Sequence, residues 1–112
     1  MNVPRLNRPL VLETPVRTAD GAGGYVGGWA ALGTLWAEIR PGTGREAAGV
    51  AIPLARVPVR IVVRAAPWGD PARPRAEQRF RSGSRVFEIS AVTESDADGR
   101  YLTCHATEEV AT

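Results

Sequence analysis

The chain has 112 residues, 44% of them hydrophobic, and a formal net charge of +2. That length holds a single domain with one modest core, and no run approaches the roughly 18 apolar residues of a membrane span. All 14 basic residues are arginine, but they are scattered, and so small a net charge lacks the concentrated basic footprint of a typical nucleic-acid binder.

Residues 1–9 carry two prolines and two arginines and read as an extended arm, with Pro9 tolerated only at a strand start or edge. The segment lacks the apolar stretch of a secretory signal, so synthesis and assembly in the cytosol are expected. Leu10-Val11-Leu12-Glu13 then alternates as a strand, which Pro15 is expected to limit or to mark as an edge. Residues 18–28 hold five glycines and predict a mobile loop. No Gly-Lys-Ser/Thr ending follows, so this is not a phosphate-binding loop. Residues 34–40 alternate cleanly: Leu35, Ala37 and Ile39 face one way, Trp36, Glu38 and Arg40 the other. Pro41-Gly42 ends that strand.

Residues 42–56 are harder. Gly49 and Pro53 prevent a long helix, and the segment reads as a long loop of the kind that is usually functional or disordered. Residues 57–65 give the strongest strand. Val57, Val59, Ile61 and Val63 line one face, and Pro58, Arg60, Val62 and Arg64 the other. Pro67, Gly69, Pro71 and Pro74 forbid regular structure until about Glu77. Residues 78–94 predict strand, turn (Ser82-Gly83-Ser84) and strand. Phe87, Ile89 and Ala91 are placed on the core face, with Val86 and Val92 opposite. Asp96-Ala97-Asp98-Gly99 is a hairpin signal. Residues 101–109 return with Leu102, Cys104 and Ala106 on one face, and the tail, 110–112, is expected to fray. Five or six short strands with no convincing long helix describe an all-β chain, a small antiparallel barrel or sandwich forming one domain over residues 1–112.

Catalytic chemistry is missing from the sequence. The lone histidine, His105, adjoins the lone cysteine, Cys104, but neighbours on a strand point to opposite faces and do not meet. One Cys and one His fall short of a zinc site. The Asp96/Asp98 pair belongs to a turn, and Glu108/Glu109 is expected to be solvated. No catalytic residue, metal or cofactor is assigned. Trp29, Trp36 and Trp68 have two readings each, core filling or interface anchor. Trp36, beside Glu38 and Arg40 on its strand face, is the best anchor; Trp68, in the Pro-rich loop, is placed to dock on a neighbour. Arg40, and Arg60 and Arg64 on the outward face of the third strand, complete the candidate subunit or partner interface. Arg79-Phe80-Arg81 is the one fragment resembling an aromatic platform beside basic residues, as a nucleic-acid-binding barrel would need.

The order of these elements carries a resemblance. Leu10-Val11-Leu12-Glu13, the Gly-rich turn before Trp29, Trp36-Ala37-Glu38-Ile39-Arg40-Pro41, Gly44-Arg45-Glu46, Val59-Arg60-Ile61, Gly83 through Val86-Phe87-Glu88-Ile89, and Leu102 follow one another as they do in the phage head–tail joining family. The chain resembles those head-closure, or stopper, proteins from about Leu6 to Glu109. The resemblance implies a small β-barrel with a long loop between its second and third strands. It implies a homo-oligomeric ring at the neck of a phage or gene transfer particle, sixfold rather than twelvefold by analogy. Portal and adaptor would lie above the ring and the tail terminator or tail tube below, and packaged double-stranded DNA would pass without sequence-specific contact. No membrane is involved. The long loop, here Gly42, Thr43, Gly44, Arg45, Glu46 and Gly49 within 42–56, is implied to face the channel as a gate.

Overall fold

The structure, a computed structural model, describes residues 3–42 and 54–111. Six strands form: β1 (Arg8–Ala19), β2 (Tyr25–Pro41), β3 (Leu54–Arg64), β4 (Arg79–Ser82), β5 (Arg85–Glu94) and β6 (Tyr101–Ala111). All neighbours are antiparallel, and the order β1-β2-β3-β6-β5-β4 closes on itself as a barrel. No helix forms among the described residues, so none is long and apolar enough to cross a membrane.

Every strand supplies the core. Leu10 and Leu12 come from β1, Ala37 from β2, Val59, Ile61 and Val63 from β3, Phe80 from β4, Phe87 and Ile89 from β5, and Leu102, Cys104 and Ala106 from β6. Cross-strand partners stack within it: Phe80 lies opposite both Phe87 and Leu12, Ile61 opposite Cys104, and Val63 opposite Leu102. The period-two reading of the sequence is what places them together. Val62 points the other way yet is also buried. It sits opposite Glu38, whose Oε2 accepts a 2.7 Å hydrogen bond from the Arg5 backbone N–H, so the N-terminal arm crosses the barrel wall beside it.

Two β-bulges break the simple alternation. The β5–β6 register shifts between Ile89 and Ala91, so that Ala91 faces His105 and Val92 faces Cys104. The expected core position of Ala91 is thereby corrected. The extra residue, Ser90, reverses the strand's parity, Ala91 is exposed, and Val92 packs on the core. The β1–β2 register shifts between Leu12 and Glu13, with Leu32 as the extra residue: Leu12 pairs with Gly33 and Glu13 with Ala31. Gly33 has φ +149°, a backbone geometry that residues with a Cβ rarely adopt.

The largest correction concerns the N-terminal third. Pro15 does not end β1, which continues to Ala19, and the glycines of 18–28 do not make a long loop. Only residues 20–24 turn. The Asp20 carboxylate accepts hydrogen bonds from the N–H groups of Ala22 and Gly24, and Gly21 and Gly23 supply the positive φ values. From Tyr25 to Gly28 the chain is strand, paired with Val16–Ala19. β1 meets β4 only at Val11–Glu13, and β2 meets β3 only from Ala37 onward. Thr14–Ala19 and Tyr25–Ala31 therefore pair only with each other and leave the barrel as a two-stranded ribbon, about 20 Å long at strand rise. At the other end β6 pairs with β3 through Ala111, so residues 110 and 111, expected to fray, belong to the ladder.

Truncating Phe87 to Ala should lower unfolding stability by about 3–5 kcal/mol, measured by urea titration. Ala91→Ser, turned outward by the bulge, should change it by less than about 0.5 kcal/mol.

Candidate assembly interface

The outer wall over β2 and β3 gathers four of the five interface candidates. Trp36, Glu38 and Arg40 alternate outward along β2. Arg40 lies opposite Arg60, and Arg64 is exposed at the end of β3. Two arginines facing each other would repel, but each has another partner. Arg40 bonds Glu38, and Arg60 donates to the Pro41 carbonyl at 3.3 and 3.4 Å. The hydrogen bond from the Arg5 amide, helped by Arg40, holds the Glu38 carboxyl below its ordinary range. Trp36 is 57% exposed and borders an apolar recess of ≈ 470 Å³ with Leu6, Leu35, Ala65, Ala66, Ala72 and Arg64.

Trp68, the fifth, stands apart. It is 84% exposed in the loop between β3 and β4, stacked under the Arg73 guanidinium at 3.7 Å, and shares a recess with Thr14 and Leu32 at the root of the ribbon. The core-filling reading is corrected for all three tryptophans, since Trp29 too is 40% exposed. The barrel interior is filled by Phe80, Phe87, Cys104 and aliphatic residues of the six strands. Gly42 ends β2, and its N–H donates to the Pro58 carbonyl at 3.0 Å. A Cβ there would meet Pro58 backbone atoms at 2.7 and 2.8 Å, so only glycine fits this crossing. Thr43, Gly44, Arg45, Glu46 and Gly49 lie outside the described residues.

The ribbon is what sequence reasoning missed. The Leu32 bulge turns its two faces relative to the barrel. One face carries Glu13, Pro15, Arg17, Tyr25 and Trp29 and continues the barrel's outer wall. The other carries Thr14, Val16, Val26, Gly28 and Ala30. Tyr25 is 63% and Val26 58% exposed. On the first face Arg17 lies over Tyr25 at 4.5 Å and Arg79 over Trp29 at 4.0 Å. The available signal was the alternation of Thr14-Pro15-Val16-Arg17-Thr18, with β-branched residues on one side, mirrored across the Asp20 turn.

Glu13 anchors the ribbon to the barrel. It is 6% exposed, and its two oxygens accept Arg79 Nε at 2.7 Å and Arg81 Nε at 2.9 Å. Burial alone would raise its pKa, but hydrogen bonds from Arg81 and Arg79 and their charges outweigh that and hold it below 4.5. Glu108, expected to be solvated, is buried. Arg85 grips it at 2.7 and 3.0 Å, lowering its pKa against the cost of burial. With Phe80 fully buried between Arg79 and Arg81, the one fragment that resembled the platform a nucleic-acid-binding barrel would need has no ring to offer a base. Cys104 is buried, its thiol pushed up to about 12 by desolvation, while His105 faces outward beside Thr93. Among the described residues no three metal-ligating side chains gather.

The described residues thus form a closed barrel with exposed tryptophans and a projecting ribbon. A model of the phage head completion protein family matches residues 1–109. The chain belongs to that family. The family is structural, and the chain is not an enzyme. A chain in a solved structure, "Virion of native gene transfer agent (GTA) particle", is 58% identical, over 98% of this chain and 100% of that one, with a TM-score of 0.83. Protein SF1141 from Shigella flexneri 2a is 27% identical over 96% of each chain, with a TM-score of 0.67. No curated protein matches.

Both buried glutamates have depressed folded-state pKa values. Their contribution to stability is therefore full above the unfolded value near 4.5 and is lost as pH falls through the folded values. Glu13→Gln should cost about 1–3 kcal/mol at neutral pH. The difference from wild type should vanish in acid, where the carboxyl itself is neutral, as read by urea unfolding across pH.

Proposed function

We propose that this chain is the neck component of a tailed phage or gene transfer particle. In this reading it forms a homo-oligomeric ring, sixfold by analogy, between portal and adaptor above and tail terminator or tail tube below. The ring closes the DNA-filled head and offers the tail its seat. The observation that carries the reading is membership of the head completion family over residues 1–109 together with close likeness to a chain of a gene transfer agent virion. The barrel supports it physically: a closed ring repeats one patch-to-patch contact, and exposed Trp36, Trp68 and Trp29 are the residue type that dominates such contacts.

Of the loop expected over 42–56, Leu54–Arg56 belong to β3 and pair with β6; within the ring, the part that precedes Leu54 is assigned to the channel. Its root is fixed, because Gly42 is held against Pro58. DNA passes the neck without sequence reading, which agrees with the loss of the Arg79-Phe80-Arg81 platform to the core.

Electron cryo-microscopy of particles from cells lacking this gene should show tailless heads that lose DNA. Wild-type particles should show a ring of this chain at the neck. Intact tailed particles from the deletion would overturn the neck role. For the channel assignment, a cysteine at position 45 reports cleanly because buried Cys104 is unreactive at neutral pH. The Arg45→Cys thiol should be shielded in intact particles and labelled once necks are disrupted. Full labelling of intact particles would move the segment out of the channel.

A further inference from the structure

From Gly21 to Ala37 the chain has no charged residue, and this run includes most of β2. Among the described residues, Tyr25–Trp36 pairs along one side only, with β1. Alternate residues of its other edge direct N–H and C=O groups into solvent, a template for an added strand. Folded proteins usually blunt such an edge with charge or proline. The ribbon does so on one side only. The free edge of β1 carries Pro15, which lacks an N–H, and Arg17, whereas at the same outward positions the free edge of β2 carries Trp29 and Gly27, neither charged nor proline. A Cβ on Gly27 would meet nothing within 4 Å, so the sheet face beside that edge is open there.

Charge on the ribbon's outer face defines what would pair there. Arg17 stands opposite Gly27, reaches across it and rests on Tyr25 of β2. Arg79 comes from β4, two strands away, and rests on Trp29 of β2. Both guanidinium groups are thereby carried onto the strand with the open edge. Arg79 spends its Nε on Glu13, and among the described residues Arg17 makes no ion pair. The opposite face of the ribbon, Val16, Val26, Gly28 and Ala30, is uncharged.

We infer that the open edge of β2, over Tyr25–Ala31, binds by strand addition an extended acidic segment of a partner protein, in which carboxylates alternate with small apolar side chains. Carboxylates would meet Arg17 and Arg79 on one face, and the apolar residues would lie along Val26 and Gly28 on the other. Backbone pairing supplies affinity, and the alternation supplies specificity. A head-to-tail repeat of this chain's own ribbons does not fit as well, because the pairing edge of the next copy would be the one interrupted by Pro15. The inference rests on the neck reading only for the source of the segment, an adjoining particle protein.

The test uses the full chain and a capped peptide of alternating Glu and Val, about seven residues long to match the edge, with a Lys-Val peptide as control. The Glu-Val peptide should slow amide exchange at alternate residues of Tyr25–Ala31 and leave the barrel strands unchanged. It should bind about tenfold more tightly than the Lys-Val peptide, the scale of a charge-assisted contact. Arg17→Glu, on the exposed ribbon, should abolish or reverse that preference while the fold persists by circular dichroism. Equal binding of both peptides, no protection in β2, or the same protection on concentrating the chain alone would each overturn the inference, the last by making a second copy the occupant. None of these readouts depends on particle assembly, so failure of the neck reading shows separately, in the gene deletion.

Discussion

Glu13 stands where the barrel becomes the ribbon, and the rest of the architecture depends on how it is held. Closure of the sheet runs through β4, only four residues long, which meets β1 at three positions. Inside, Phe80 of β4 packs on Leu12. Outside, Arg79 and Arg81 take the two oxygens of Glu13. Burying one carboxylate between two arginines costs desolvation that is recovered only with good geometry. Here the geometry fastens the short strand to the long one from both faces. One residue later β1 leaves β4, and Leu32 bulges from β2 opposite.

That bulge sets the chemistry of everything beyond it. Without the extra residue, Trp29 and Ala31 would share the inward parity of Leu35 and Ala37, and the ribbon would present its aromatics on the side of the barrel's interior. With it, Trp29 and Tyr25 join the outer wall and receive the Arg79 and Arg17 guanidinium groups. A two-stranded ribbon is marginal in water by itself. The cation–π stacks, each worth about 0.5–1 kcal/mol at exposed sites, and the anchor at Glu13 stiffen it where no third strand does. The barrel thus acts as a rigid mount, and the ribbon, the Trp36 recess and the loop root at Gly42 are presented from it in fixed positions.

The same construction accounts for the buried titratable groups among the described residues. They are engaged as structural partners or desolvated: Glu13 and Glu108 by arginines, Cys104 by the core. The large apolar groups left exposed include Trp29, Trp36, Trp68, Tyr25 and Val26, residue types suited to contact surfaces. The arginine-only basic set suits this use, since a planar guanidinium stacks on Tyr25, Trp29 and Trp68 and also grips carboxylates in ways a lysine ammonium does not.

Much of the barrel was legible in the sequence. Alternation along Leu35–Ile39, Val59–Val63 and Leu102–Ala106 follows directly from the two-residue period of a pleated strand with one buried face, and the order of motifs pointed to the family. What escaped was every feature in which two distant segments decide together. Pro15 reads as either a stop or an edge mark, and only the register shows the edge: β1 runs on to Ala19 with a free side at Pro15, where a missing N–H costs nothing. The glycines at 27 and 28 read as loop until their partners Arg17 and Val16 are in register. Ala91 and Val92 exchange faces because one residue, Ser90, bulges, and Glu108 is buried because Arg85 reaches it from the neighbouring strand. The sequence by itself determined the barrel strands, most of the core and the kinship, because periodicity is local. Tertiary structure alone decided the ribbon, the outward tryptophans and the buried ion pairs, because register and bulges are settled only when strands meet.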